Sequence, residues 1–167
     1  AEAHVFTTVP PTNFKLAADL IHSFSNDDLR RKSWIQMVDE DMLFAHASKY
    51  RVRGTSTPSK EYSIVLRLEE MYLISAETAA QLSQWNLYNT RINALRVRAN
   101  ISQLQIENRD QALDTIYAER RREFFCEYGH RFYDLKRTGR LLHLKAVKPQ
   151  WQDYFKKLPI PLNELIL

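Results

Sequence analysis

A chain of 167 residues is long enough to bury a core without a disulfide or metal staple, and one domain is the natural prior. A hydrophobic share of 44% and a charged share of 26% are ordinary for a globular domain, and three glycines are too few for a turn-rich all-β fold. One cysteine excludes a disulfide framework, no run is apolar enough to span a bilayer, and 24 basic against 20 acidic residues leave +4, which permits a nucleic-acid partner without requiring one.

Residues 1–60 read as irregular and loop-rich. Val9-Pro10-Pro11 is extended or turned, because each proline restricts itself and its predecessor. Asn13 to Phe24 has room for a short helix with Phe14, Ala17, Ala18 and Ile21 on one face, and Ser25-Asn26-Asp27-Asp28 is turn chemistry. Trp34 to Val38 and Met42 to His46 are short apolar runs, strand or loop. Tyr50 to Lys60, with Gly54 and Pro58, is a polar loop.

Residues 61–167 read as one continuous helical domain. Ile64, Leu68, Met71, Ser75, Ala79 and Leu82 recur at helical spacing, and Val65, Tyr72, Ala76 and Ala80 line a second face. Two apolar faces separated by small residues suit a helix packed between two neighbours. After a break at Ser83 to Asn86, Tyr88, Ile92, Leu95 and Ala99 mark a second helix, and the short break returns it antiparallel. Leu113, Ile116, Tyr117, Arg120, Phe124 and Tyr128 form the stripe of a third helix, which places Cys126 in a helical stretch as a buried, inert thiol. Gly129 interrupts or bends that helix. His130 to Thr138 continues it with Gly139 as a C-terminal cap, and Leu158-Pro159-Ile160-Pro161 is extended. The fold class is therefore mainly α: a tetratricopeptide-like hairpin packed with further helices, with extended or irregular segments at the ends.

Charge alternates along the third helix. Glu119, Arg120, Glu123, Glu127, Arg131, Asp134 and Arg137 lie three or four apart in ways that let helix neighbours meet. Three consecutive arginines suggest a polyanion site, but carboxylates interleave with them and successive side chains diverge around a helix. An internal ion-pair network is the better reading, and Arg120 on the apolar stripe needs a buried partner. Nothing supports catalysis. The carboxylates of Glu69, Glu70 and Glu77 diverge, no nucleophile or phosphate-loop motif is present, and the five histidines lie far apart without metal-ligand spacing. No enzyme activity, no cofactor, no metal and no nucleic-acid partner are expected.

Four segments, in order, resemble the C-terminal part of the SusD/RagB family: LRLEEMYLISAETA at 66–79, INALRVRANI at 92–101, ERRREFFCEYGHRFYDLKRTG at 119–139 and KLPIPLNEL at 157–165. SNDDLRRKSWI at 25–35 is a looser fifth. Asn100 stands where the family usually has glycine, and asparagine also tolerates the left-handed conformation. Family members are considerably longer, with an N-terminal portion that supplies further helix pairs and a lipid-bearing cysteine. The chain is therefore expected to be a fragment.

The resemblance implies a non-catalytic protein, lipid-anchored at the outer-membrane surface, that hands glycans or peptides to a SusC-like TonB-dependent transporter. Sugar faces stack on exposed aromatic rings, and the aromatics outside the helical stripes are Trp34, Tyr50, Trp151 and Tyr154, with Tyr62 a weaker candidate. Because the family builds much of its glycan site upstream of Ala1, this chain alone is expected to show no measurable glycan affinity. Two alternatives stand beside this reading: a helical-repeat interaction module with no nutrient role, and a nucleic-acid-binding helical domain.

Overall fold

The computed structural model describes residues 15–38, 44–50, 64–157, 159–161 and 164. Two compact units are distinguished, Ala1–Cys126 and Glu127–Leu167.

The first unit is built on three helices, α3 (Leu68–Gln81), α4 (Trp85–Arg98) and α5 (Arg109–Glu123). α3 and α4 form an antiparallel hairpin, and α5 packs on α3. Alanines at 76, 79 and 80 let the neighbouring helices come close, and Leu73, Tyr88, Ile92, Leu95, Ala112, Leu113 and Ile116 fill the space between them. Ser83 turns the hairpin with φ +55°, and the Gln84 N–H bonds back to the Ala79 carbonyl at 2.8 Å. α4 ends at Asn100, which takes φ +57°. Its N–H donates to Val97 O and that of Ile101 to Arg96 O, both at 3.0 Å, the paired closure of a left-handed helix cap.

The segment after α4 returns along that helix in extended form, held by two side chains that act as a surrogate strand. Asn89 donates to Ile106 O and accepts from Ile106 N, both at 3.0 Å, and Asn93 does the same with Leu104 at 2.8 Å. Asn108 then caps α5 by accepting from Gln111 N at 3.0 Å.

Two features of α3 differ from the sequence reading. The helix starts at Leu68, with Ile64 to Leu66 exposed ahead of it. Of the first expected face Leu68, Met71 and Leu82 also lie outside, 67%, 48% and 62% exposed, and Ala79 is buried, while the buried stripe joins it and Leu73 to Ala76 and Ala80 of the second expected face. Periodicity registers an apolar face but not whether a neighbour covers it.

Part of the segment expected to be irregular is ordered. α1 (Ala18–His22), α2 (Leu29–Trp34) and an antiparallel ribbon of β1 (Ile35–Met37) and β2 (Ala45–Ala47) close a smaller core of Leu16, Leu20, Ile21, Phe24, Ile35, Ala45, Ala47 and Phe125. Ile35 pairs with Ala47 and Met37 with Ala45. The expected proline turn at 9–11 and the polar loop from 51 to 60 lie outside the described residues.

α5 stops at Glu123, short of the stripe's last residue. Cys126 and Tyr128 take φ +59° and +39°, so the helix cannot continue through them. Cys126 is consequently exposed, where a buried thiol was expected. The second unit opens at Glu127, and Gly129, at φ +71°, starts α6 (His130–Arg137). Gly139 closes α6 at φ +70°, with Arg140 N–H bonded to Leu135 O at 2.8 Å. Two 3-10 turns follow, Leu141–Ala146 and Asp153–Lys156.

Candidate functional site

Glu119 and Glu123 stand one turn apart on α5, and both are fully buried. Two adjacent carboxylates repel each other and lose their hydration, so this arrangement requires cations. Five arginines from four parts of the chain supply them. Arg96 and Arg122 reach one oxygen of Glu119 at 2.7 and 2.9 Å, and Arg30 takes the other at 3.0 Å. Arg98 donates to both oxygens of Glu123 at 2.8 Å, joined by Arg30 at 3.1 Å and Arg67 at 3.3 Å. No oxygen of either carboxylate is left without a guanidinium.

Arg30 is the hub. Asp28 caps α2 through Arg30 N–H at 2.9 Å and grips the Arg30 side chain at 3.0 and 2.8 Å, leaving the remaining nitrogen to bridge Glu119 and Glu123. Burial works against the charge on Arg30, but the Asp28 bond and the charges of Glu119, Asp28 and Glu123 outweigh it and hold the guanidinium above its ordinary value. Burial likewise pushes Glu119 up, and Arg122, Arg30 and Arg96 together bring it below the usual carboxylate range. Lys49 and Arg67 donate to the Glu123 carbonyl at 2.6 and 2.9 Å, which satisfies the end of α5.

This geometry leaves little chemistry to perform. A carboxylate saturated by guanidiniums is a poor base, and guanidiniums already paired to carboxylates offer no open fork to a phosphate. Among the described residues no group of three His, Cys, Asp or Glu is placed to hold a metal ion.

The other residues read as network members fall as follows. Arg120 is 5% exposed, 3.4 Å from Glu70 on α3, with its guanidinium 5.2 Å from the centre of the Phe124 ring. In the second unit Asp134 pairs with Arg137 at 2.9 Å. Glu127 is buried and Arg131 half-buried. Glu127 precedes α6, so the two do not share the continuous helix that a four-residue spacing suggested. The partners Asp28, Arg30, Arg67, Arg96 and Arg98 were not identified from sequence. Their only signal was that each lies within, or beside, a segment that carries the family resemblance.

The four candidate aromatics divide between the units. Trp34 is half-buried, with Lys49 Nζ 4.7 Å from its ring centre and the Arg67 and Arg98 guanidiniums each at 5.9 Å. Tyr50 accepts from Ile64 N at 3.3 Å and borders an open groove of about 360 Å³ with Gln36 and His46. Tyr62 lies outside the described residues. In the second unit Trp151 and Tyr154 join a chain of edge-on rings. Phe132 stands 6.3 Å from Trp151, Trp151 5.7 Å from Phe155, and Phe155 4.5 Å from Tyr154. Trp151 Nε1 is buried and has no acceptor among the described residues, a state that costs about 1–3 kcal/mol. Sequence reasoning missed Phe132, Tyr133 and Phe155 as companions of the two rings, because side-chain packing across two turns leaves no periodic trace.

A buried arginine–carboxylate lock thus ties together a helical hairpin and the third helix that packs on it. The family model described as the SusD family matches residues 19–159. The SusD-like protein P25 of Formosa agariphila is 30% identical over 172 residues, covering 93% of this chain and 30% of that protein. No solved structure gives a significant match. The chain belongs to the SusD family, and it spans 30% of the length of this curated relative.

Proposed function

We propose that this chain is part of a non-catalytic binding protein that captures a nutrient, a glycan or a peptide, at the outer-membrane surface and passes it to a SusC-like TonB-dependent transporter. Family membership supports nutrient binding in general. One observation carries the reading over to this chain. The segments behind the resemblance contribute their charged residues to a single lock: Arg30 from 25–35, Arg67 from 66–79, Arg96 and Arg98 from 92–101, and Glu119 and Glu123 from 119–139. On this reading Glu119, Arg120, Glu123, Glu127, Arg131, Asp134 and Arg137 are structural, and the protein holds a ligand on a rigid platform without transforming it. Anchoring is by lipid on the parent protein. No helix among the described residues is long and apolar enough to cross a membrane.

Affinity capture with the full-length parent protein, from detergent-solubilised outer membranes of the source cells, tests this. A TonB-dependent barrel is the expected partner, and its gene is expected beside this one. Recovery of a soluble cytoplasmic partner in its place would favour the second reading, a helical-repeat interaction module. The observation behind that alternative is the uncovered row of Leu68, Met71, Ile74 and Leu82 on α3.

A further inference from the structure

The charge excess of the chain sits entirely in its second unit. Residues 127–167 carry eight Lys or Arg against four Asp or Glu, while residues 1–126 carry sixteen of each. In the same unit Tyr133, Tyr154 and Phe155 are 61%, 68% and 44% exposed; the half-buried rings of Phe132 and Trp151 brace Tyr133 and Phe155 edge-on, and Phe155 braces Tyr154. Edge-on packing seats the rim of one ring on the face of the next, and the exposure of Tyr133, Tyr154 and Phe155 leaves part of their ring surface open to a ligand.

Basic side chains surround these rings along the chain. The Trp151 N–H bonds to the Lys148 carbonyl at 2.9 Å, which sets Lys148 one turn before the indole. Lys156 pairs with Asp153 at 2.6 Å, and the charge of Lys145 also falls on Asp153. Both charges therefore act at Asp153, the residue before Tyr154. Lys148 and Lys157 are exposed and have no carboxylate among the described residues. Residues 145–157 hold four lysines and one aspartate, which leaves uncompensated positive charge on the segment that carries Trp151, Tyr154 and Phe155.

From this juxtaposition we propose that the Tyr133–Trp151–Tyr154–Phe155 surface is a subsite for an acidic oligosaccharide, whose sugar faces stack on the rings while its carboxylate or sulfate groups neutralise Lys145, Lys148 and Lys157. The proposal rests on the nutrient-binding reading and deepens it by naming the ligand class. It reverses, for acidic glycans, the expectation that this chain alone has no glycan affinity. Aromatic stacking supplies the sugar contact, the lysines select for negative charge, and the unpartnered Trp151 Nε1–H is a donor that a ligand oxygen satisfies once the ring adjusts.

The test is calorimetry on the whole chain with a short oligogalacturonate and with its carboxyl-reduced counterpart of equal length. The expected result is saturable binding of the acidic sugar, about tenfold or more tighter than the neutral one and weakening from about 50 to about 500 mM salt. The Lys148→Gln/Lys157→Gln double variant should lose about tenfold in affinity and Tyr154→Ala should lose binding, both with unchanged helicity and melting. Equal binding of the neutral sugar overturns the inference and leaves the nutrient reading intact. Binding only to anionic lipid vesicles or to single-stranded DNA overturns it in favour of those partners. Absence of binding to every probe also overturns it. Failure of the nutrient reading itself is read separately, from the outer-membrane capture.

Discussion

In residues 1–126 sixteen cations face sixteen anions, and Arg30, Arg67, Arg96, Arg98 and Arg122 are all held on two buried carboxylates. In residues 127–167 eight cations face four anions, and Lys136, Lys148 and Lys157 have no carboxylate among the described residues. The same charged residue types thus do opposite work. Arginine dominates where charge is buried, because its planar fork satisfies several carboxylate oxygens at once and it does not deprotonate. Lysine dominates where charge is exposed and open to a partner. Substituting the buried arginines of the first unit should therefore destabilise the fold, and substituting the exposed lysines of the second should not.

The largest effect is expected at the hub. Arg30→Ala leaves the buried Asp28 without its guanidinium and takes one cation each from Glu119 and Glu123, and breaking a buried pair by removing one partner costs about 3–5 kcal/mol. Urea denaturation checks this, and a midpoint equal to that of the unaltered protein would remove the lock from the account. Arg120→Ala comes next. It has a longer contact, 3.4 Å to Glu70, and should lose about 2–3 kcal/mol, part of it packing on Phe124.

The lock also has a pH signature. The carboxyl of Glu119 is held below its ordinary value in the folded chain, so its contribution is fully present above the unfolded value and is lost as pH falls through the folded one. The urea midpoint should hold from neutrality down to about pH 5 and then fall. Glu119→Gln should start lower and fall less steeply, because one titrating group is gone. If the two profiles stay parallel, Glu119 is not the group responsible.

The three long helices of the first unit could be read from the sequence and the long-range partners of the lock could not, for one physical reason. Helices declare themselves through neighbours three and four residues apart, which is why the hairpin break from Ser83 could be placed, while the cap at Asn100 came from the resemblance to a family that usually has glycine there. The pair Glu119–Arg122 shares that spacing and stands at 2.9 Å. The contacts that join the helices do not: Arg30 to Glu123 spans 93 residues and Arg96 to Glu119 spans 23. The burial expected for Cys126 failed at a related point, because a stripe of apolar positions says nothing about three positive-φ residues between Cys126 and Gly129. At Gly139 backbone and packing separate cleanly. Nothing lies within 4 Å of an added Cβ, so Gly139→Ala should lose about 1 kcal/mol from the left-handed conformation alone, measured as a small drop in melting temperature.

The smallest effect is the one that bears most on the contrast. Lys148→Gln/Lys157→Gln removes two exposed charges that hold nothing in the fold, and substitutions of that kind stay within about 0.5 kcal/mol. The protein should gain slightly, because residues 145–157 carry four lysines against one aspartate and their like charges repel. Chemical denaturation of this variant beside Arg30→Ala places the two kinds of charge on one scale. A loss of several kcal/mol in the lysine variant would mean that the second unit uses its charge as the first does, and the aromatic surface would then have no spare cations to offer an acidic ligand.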